Sequence, residues 1–182
     1  MDKKNFFQNY FNKISTNLNL VDQKLLFKSV DLVKRTKKKN NKIIIVGNGG
    51  SAAMASHVAV DFTKVGGIRA VNFNEADLIT CFANDYGYEN WVLKALNFYA
   101  DENDLVILIS SSGKSKNIVN AARYAKKNKI KVITFSGFAK SNPLKKIGHI
   151  NFWVNSDKYN FIEMVHHIWL LAIVDKVANI KL

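Results

Sequence analysis

The spacing of apolar residues changes character near residue 42. Between residue 3 and about residue 37, apolar side chains recur every three or four positions, which is the period of an amphipathic helix. A Ser, Thr and Asn cluster in "STNLNL", residues 15–20, interrupts this pattern and offers caps for a second helix. Residues 1–40 are therefore predicted to form an N-terminal helical hairpin.

From residue 42 onward, short β-branched apolar runs alternate with helical patterns. Continuous apolar strands of this kind are typical of a parallel sheet that is covered by helices on both faces. A last helix is predicted over "FIEMVHHIWLLAIVDKVANI". The pattern predicts a single α/β domain over residues 1–182, with residues 42–182 as the α/β core and C-terminal helix. The five predicted strands cover residues 42–46, 68–73, 104–110, 130–136 and 149–154.

Composition narrows the class of protein. Hydrophobic residues make up 48% of the 182 residues and charged residues 23%, which is the balance of an ordinary globular protein. The formal net charge of +13 raises the question of a nucleic-acid partner. However, the lysine clusters fall where helices are predicted to end, where they complement the helix dipole. This placement favours a solvated basic surface, disfavours a nucleic-acid partner, and is compatible with an anionic substrate.

Location and core composition follow from simple features. No apolar run is long enough to span a membrane and no secretory signal is recognisable, so we expect a cytoplasmic protein without a membrane partner.

A single cysteine, Cys81, excludes an internal disulfide and is expected to be a buried small hydrophobe. Trp153, Trp169 and the Phe residues lie in apolar runs and are expected in the core.

The turn "GNGGS", residues 47–51, directly follows the first predicted strand. Glycines tolerate positive φ and let the backbone approach a ligand closely. The following helix is expected to begin at or near Ser51, so that its free amides and positive dipole end form an anion site. Ala52 stands where a dinucleotide fingerprint needs glycine, and no Gly-Lys-Ser/Thr follows, so neither that motif nor a P-loop is present.

A second strand-to-helix turn is rich in hydroxyls. It reads "ISSSGKS" over residues 109–115, and Lys114 or Lys116 is available for charge. One serine is expected to cap the helix, but four within six residues exceed what a cap requires and suit a phosphate group. Because ligands of parallel sheets bind at the carboxyl ends of the strands, the two turns are expected to share one ligand. The four hydroxyls belong to Ser110, Ser111, Ser112 and Ser115.

Three motifs together resemble the sugar isomerase (SIS) domain family, and within it the phosphoheptose isomerases. They are "GNGGSAAMASH", "ANDYG" and "ISSSGKS". The resemblance implies a five-stranded parallel sheet between helices, assembled as a homotetramer with active sites at subunit interfaces. It assigns a first substrate loop, a sugar-contacting pair and a phosphate cradle. The residues so assigned are Asn48, Gly49, Gly50 and Ser51, then Asn84 and Asp85, and then the four serines named above.

The same resemblance implies an enzyme that interconverts sedoheptulose 7-phosphate and D-glycero-D-manno-heptose 7-phosphate. Such an isomerisation needs a base and an acid that exchange protons with an enediol. At the position of the family's proton-transfer glutamate this chain has Asp61, a candidate catalytic residue whose reach is shorter by one methylene. At the position of the expected catalytic histidine it has Leu171. His167 lies one turn before Leu171, on the face of Glu163, and is the candidate to act instead.

The resemblance also implies a zinc site in some family members. Here its ligands would be His57, Asp61 and Glu163, since Glu163 takes the place of a family glutamine. Glu163 is in addition a candidate substrate-binding residue, whereas His166 is expected to be structural. No nucleotide cofactor is implied.

An alternative function is a non-catalytic protein on the same scaffold. Some SIS-domain proteins associate with the bacterial replication initiator, and others sense sugar phosphates within transcription regulators. Leu171 and Asp61 weaken the case for turnover, while the phosphate loops favour a sugar-phosphate ligand in either case. The absence of a recognisable helix-turn-helix segment disfavours a direct transcription regulator.

Overall fold

A computed structural model describes residues 5–181 as seven α-helices and five β-strands. The helices are α1 (Phe6–Asn19), α2 (Gln23–Lys38), α3 (Gly50–Lys64), α4 (Ala76–Tyr86), α5 (Trp91–Tyr99), α6 (Lys116–Lys127) and α7 (Tyr159–Val177). The strands are β1 (Ile43–Val46), β2 (Ala70–Val71), β3 (Leu105–Ser110), β4 (Lys131–Ser136) and β5 (Ile150–Trp153). A short 3₁₀ turn covers Leu144–Lys146. The predicted α/β fold is confirmed.

All strand pairs are parallel, in the order β2-β1-β3-β4-β5. Both faces of the sheet are buried, because alternate residues of one strand enter different core clusters. Ile43 and Ile45 of β1 pack with α2, α3 and α7, while Ile44 and Val46 pack with α5 and α6. This two-sided burial is why the strands read as continuous apolar runs. It also brings the carboxyl ends of β1 and β3 side by side.

The N-terminal hairpin forms with boundaries that differ from the predicted ones. Helix α1 continues through most of "STNLNL" and ends at Asn19, so this cluster does not cap the next helix. Instead Asp22 is the cap of α2, and its carboxylate accepts a hydrogen bond from the Lys24 amide at 2.9 Å. Residues 3 and 4 of the predicted helix lie outside the described residues.

Several core predictions were wrong. Cys81 is exposed on α4, a helix that packs on α5 and has no buried residue. Trp153 is only partly buried, beneath the Lys145 ammonium, whereas Trp169 is buried as expected. Strand β2 is much shorter than predicted, since only two residues pair with β1. Four N-terminal phenylalanines are exposed rather than buried: Phe6, Phe7, Phe11 and Phe27.

The basic clusters are distributed as predicted. Arg35, Lys37 and Lys38 lie in the last turn of α2, and Lys126 and Lys127 in that of α6. Cations at these positions face the negative end of the helix dipole. Among the described helices, none is both long enough and apolar enough to cross a membrane.

Candidate active site

The two polar turns meet at the carboxyl edge of the sheet. The first joins β1 to α3, and the second joins the neighbouring strand β3 to α6. In the first turn Gly49 has φ +54° and precedes helix α3, which begins at Gly50 without a side-chain cap. A positive φ is costly for any residue with a Cβ, which explains glycine there. The helix starts one residue before the predicted Ser51.

A small cavity of about 120 Å³ opens between these turns and the first turn of α7. Its wall combines hydroxyl, amide and carboxyl groups with one aliphatic side chain. We call it the serine cavity. Its lining residues are Asn48, Ser51, Ile109, Ser110, Ser111, Ser112, Ser115, Tyr159 and Glu163.

The serine hydroxyls of the second turn are held by short local contacts. The Ser110 hydroxyl donates to Ser115 Oγ at 3.0 Å, and Ser112 Oγ accepts from the Lys114 amide at 3.2 Å. Ser115 precedes α6 but makes no side-chain capping bond to it, so the capping role expected of one serine is not performed by Ser115. Hydroxyl groups and the helix N-terminus are therefore arranged around one small volume, as a phosphate requires.

The bend that aims these serines depends on Gly113. This glycine has φ +65°, and a Cβ built on it would lie 2.1 Å from Asn142 Oδ1. Asn142 is itself buried and donates to the carbonyl groups of Gly137 and Ala139, at 3.1 and 2.9 Å. The turn and the segment after β4 are thus locked together, and only glycine fits between them.

Asn48 is fixed by residues that sequence reasoning missed. Its side-chain amide pairs reciprocally with that of Asn117, at 3.0 and 2.9 Å, and its Oδ1 also accepts from the Tyr88 hydroxyl at 3.3 Å. Asn117 is 2% exposed in the first turn of α6. In the sequence, Asn117 is a polar residue between the serine turn and the helical pattern "IVNAARYA", and this position is the signal that could have identified it. Tyr159, one turn before Glu163 on α7, was also missed.

Glu163 projects into the serine cavity from helix α7. Its Oε1 accepts a hydrogen bond from the Ser111 hydroxyl at 3.5 Å. A Cβ added to Gly50 would lie 2.4 Å from Glu163 Oε2, so glycine at this position leaves room for the carboxylate. The N-terminal ends of α3 and α7 therefore bring a carboxylate directly against the phosphate-type loop. Substrate binding by Glu163 stays a prediction.

His57, Asp61 and His167 form a second group, which we call the histidine cluster. His57 Nε2 lies 3.3 Å from Asp61 Oδ2, and His57 Nδ1 lies 2.9 Å from His167 Nε2. The group spans the contact between α3 and α7. When His57 donates to Asp61, its Nδ1 accepts from His167, and Nδ1 of His167 is left with a free lone pair.

The electrostatics of the histidine cluster favour a neutral His167. Burial lowers the pKa of His167 and the neighbouring His57 lowers it further, although Asp61 acts in the opposite direction. A neutral imidazole with an unprotonated nitrogen can accept a proton near pH 7. Along α7 this residue lies one turn, about 6 Å, beyond Glu163.

The zinc ligand set implied by the resemblance is not assembled within one chain. Among residues 5–181, no group of three or more His, Cys, Asp and Glu side chains is arranged to hold a metal ion. Glu163 contacts Ser111 and Gly50, whereas His57 contacts Asp61 and His167. Because the donors belong to two separate groups, these residues do not fit a zinc site as they stand.

Two further expected residues lie away from the cavity. Asn84 and Asp85 are exposed near the end of α4, where the Asn84 amide donates to Asp85 Oδ1 at 3.0 Å.

Leu171 is partly buried and packs against the core, so it offers no proton-transfer group. His166 is fully buried, its Nε2 lies 3.0 Å from the Ser136 carbonyl, and burial lowers its pKa to about 4. This agrees with a structural role.

Comparison with known proteins places this arrangement in a family. The family model for the SIS domain matches residues 7–137. The chain is 33% identical over 163 residues to a phosphoheptose isomerase of Helicobacter pylori, covering 86% of this chain and 84% of the relative.

Solved structures share the fold at lower identity. A phosphoheptose isomerase from Neisseria gonorrhoeae has a TM-score of 0.85 at 24% identity, covering 94% of this chain and 95% of the other. One from Francisella tularensis has a TM-score of 0.87 at 21% identity, covering 98% and 100%. The chain belongs to the SIS domain family, in its phosphoheptose isomerase group.

Proposed function

We propose that this chain is an aldose–ketose isomerase that interconverts sedoheptulose 7-phosphate and D-glycero-D-manno-heptose 7-phosphate. The observation that carries the proposal is the serine cavity, in which hydroxyls and helix N-termini face the Glu163 carboxylate. The name of the relatives supports the class of reaction. We further propose a cytoplasmic enzyme that works as a homotetramer and contributes to heptose synthesis for surface polysaccharides.

In the proposed complex, the phosphate occupies the serine cavity. Hydroxyls of Ser110, Ser111, Ser112 and Ser115 donate to its oxygens, and the dipoles of α3 and α6 favour its negative charge. Glu163 would repel a fully ionised phosphate, so we place it beside the sugar hydroxyls, where a carboxylate accepts hydrogen bonds. Asn48, held by Asn117, is positioned to contact the same sugar.

Proton transfer is assigned to the histidine cluster. The reacting carbons of a heptose 7-phosphate lie at the opposite end of the sugar from the phosphate, so they reach beyond the cavity. His167 takes the C1 proton of the ketose through its free Nδ1 while the C2 carbonyl oxygen gains a proton from water, which forms the enediol. The C1 hydroxyl then loses its proton as a proton is delivered to C2, which gives the aldose. The Asp61 carboxylate stabilises the resulting imidazolium by its charge, and His57 Nδ1 accepts a hydrogen bond from His167 Nε2.

Neighbouring subunits are proposed to complete the site. Asn84 and Asp85 lie outside the serine cavity of their own chain, so we assign their sugar contacts to the cavity of another subunit. Zinc binding is a separate proposal, because the donors of one chain alone do not assemble a zinc site. The proton transfers proposed for His167 do not require zinc.

The test is incubation of the purified protein with sedoheptulose 7-phosphate in D₂O, with and without added zinc, followed by NMR. We expect the aldose to appear with deuterium at C2, since the proton is exchanged with solvent. Calorimetry on the same preparation measures binding of the sugar phosphate. Absence of both product and binding would refute the proposal.

A second candidate is a non-catalytic sugar-phosphate-binding protein that associates with a partner such as the replication initiator. It is favoured by one observation, that Leu171 packs in the core where the resemblance implies the catalytic histidine. Binding without deuterium exchange, at any zinc concentration, would select this candidate.

A further inference from the structure

A pocket at the other edge of the sheet concentrates positive charge. It has a volume of about 280 Å³ and lies between α2 and the first residues of β4 and β5. These residues are at the amino ends of the strands, whereas the serine cavity is at the carboxyl ends. We call it the basic pocket. Its lining residues are Lys28, Asp31, Leu32, Arg35, Lys131, His149 and Ile150.

Within residues 5–181, three cations of the basic pocket have no ion-pair partner. Across residues 5–181, the ion pairs are formed by other lysines and by His57, and none engages Lys28, Arg35 or Lys131. Asp31 lies one helical turn from both Lys28 and Arg35 but pairs with neither. Three cations around one carboxylate leave an excess of positive potential, which an anion from solution would neutralise.

His149 is held in a defined orientation beside these cations. Its Nδ1 accepts a hydrogen bond from the Val132 amide at 3.1 Å, so the ring proton is on Nε2 and is available for donation. Burial lowers the pKa of His149, and the nearby Lys131 and Lys126 lower it further. His149 therefore contributes a neutral donor whose orientation is fixed by the Val132 amide.

We propose that the basic pocket binds the diphosphate group of a small molecule. Three cations and a directed N–H group exceed what a single phosphate needs, and Arg35 can form a two-pronged contact with phosphate oxygens. The volume of about 280 Å³ is more than twice the 120 Å³ of the serine cavity. This inference does not depend on the proposed function, because the two sites lie at opposite edges of the sheet.

The test uses calorimetry with inorganic pyrophosphate at an ionic strength near 0.15 M, where surface attraction is screened. The parent is the full chain carrying Ser111→Ala and Ser112→Ala, which removes two of the four hydroxyls of the competing anion site. Saturable binding at one site per chain is expected, tighter than that of orthophosphate. Adding Arg35→Gln and Lys131→Gln should weaken it about tenfold or more, because charge-assisted hydrogen bonds are lost.

A matched variant removes the same charge elsewhere. Lys13→Gln with Lys64→Gln changes two exposed lysines outside the basic pocket, and should weaken binding by less than about twofold. Equal weakening by both pairs would overturn the proposal, because it would mean attraction to the net charge alone. Absence of saturable binding at millimolar pyrophosphate, or equal affinity for orthophosphate, would overturn it as well.

A second readout reports on the pocket directly. The ring C–H resonances of His149 should move during the titration and saturate with the calorimetric binding curve. Resonances of His149 that stay in place while pyrophosphate binds would show that the anion is held elsewhere, and would refute the basic pocket as the site.

Discussion

The serine cavity and the histidine cluster are both completed by helix α7, but they are built in different ways. The cavity is made by two strand-to-helix turns whose positions follow from the parallel sheet, and its serines are largely buried. The histidine cluster depends on side chains across a helix–helix contact, and the His57 side chain is 51% exposed. The geometry of the serine cavity is thus set by the backbone, whereas that of the histidine cluster is set by individual side chains.

This difference indicates which parts of the protein tolerate amino-acid substitutions. A turn that is locked by Gly113 and Asn142 tolerates few substitutions, because the backbone itself would have to move. A helix face accepts new side chains more easily. Here α3 carries Asp61 and α7 carries Leu171 at positions where the resemblance implies other residues. The comparison predicts that variants of the cavity abolish binding, while variants of the cluster reduce turnover and spare binding.

The largest effect is expected from Ser111→Ala combined with Ser112→Ala. Loss of two hydroxyl donors to a charged phosphate should lower kcat/KM for sedoheptulose 7-phosphate by about 10³-fold. Calorimetry should show the loss as weaker binding. Ser15→Ala, which removes an exposed hydroxyl on α1, is the matched control and should leave kcat/KM unchanged. Unchanged affinity in the double variant, with the fold intact by circular dichroism, would contradict the cradle assignment.

His167→Gln is expected to lower kcat by about 10²-fold with little change in KM, since a general base is lost but phosphate contacts remain. Steady-state kinetics and calorimetry on the same variant separate the two effects. Lys176→Gln, a polar change farther along α7, is the control and should have wild-type kinetics. If His167→Gln is fully active while Glu163→Gln is not, the carboxylate in the serine cavity is the base instead.

The fold was largely predictable because its helices and strands follow from the spacing of apolar residues along the sequence. Two-sided burial produces apolar runs that identify each strand. All five observed strands lie within the predicted limits, and four of them match these limits to within one residue at each end. The shortness of β2 was not predictable, since edge pairing depends on tertiary contacts and not on apolar content. The exposure of Cys81 also depends on tertiary contacts, because α4 packs on α5 and none of its residues is buried.

The candidate site was predictable where it follows from topology. The serine turn and the glycine turn converge because parallel strands present their carboxyl ends together. The pairing of His57 with His167 was not predictable, because it depends on the crossing of α3 and α7, which no local pattern encodes. For the same reason the sequence suggested a zinc set of His57, Asp61 and Glu163 that the helices divide between two groups.

A comparison of two glycines tests how firmly the backbone holds the serine cavity. Gly113→Ala should lower the free energy of unfolding by about 3 kcal/mol, because positive φ is combined with a clash against Asn142. Gly49→Ala has a similar φ but no atom within 4 Å of the new Cβ, so about 1 kcal/mol is expected. Urea unfolding measures both. Equal losses would mean that the contact with Asn142 does not constrain the turn.

An effect smaller than that of Gly113→Ala is expected from His166, which shares α7 with both sites and belongs to neither. Its pKa is about 4 when folded, against an ordinary value near 6.5, so the unfolded chain binds more protons between these values. Stability should therefore fall as pH decreases through 6.5, by about 2 kcal/mol at pH 5 relative to pH 8. Urea unfolding of wild type and His166→Gln at both pH values isolates the contribution of His166 to the pH dependence of stability, because glutamine does not titrate. His149 and His167 titrate in both proteins, so their contributions cancel in the difference. An identical pH dependence in the two proteins would mean that His166 gains a proton in the folded state without penalty, and that the interior of α7 is open to water.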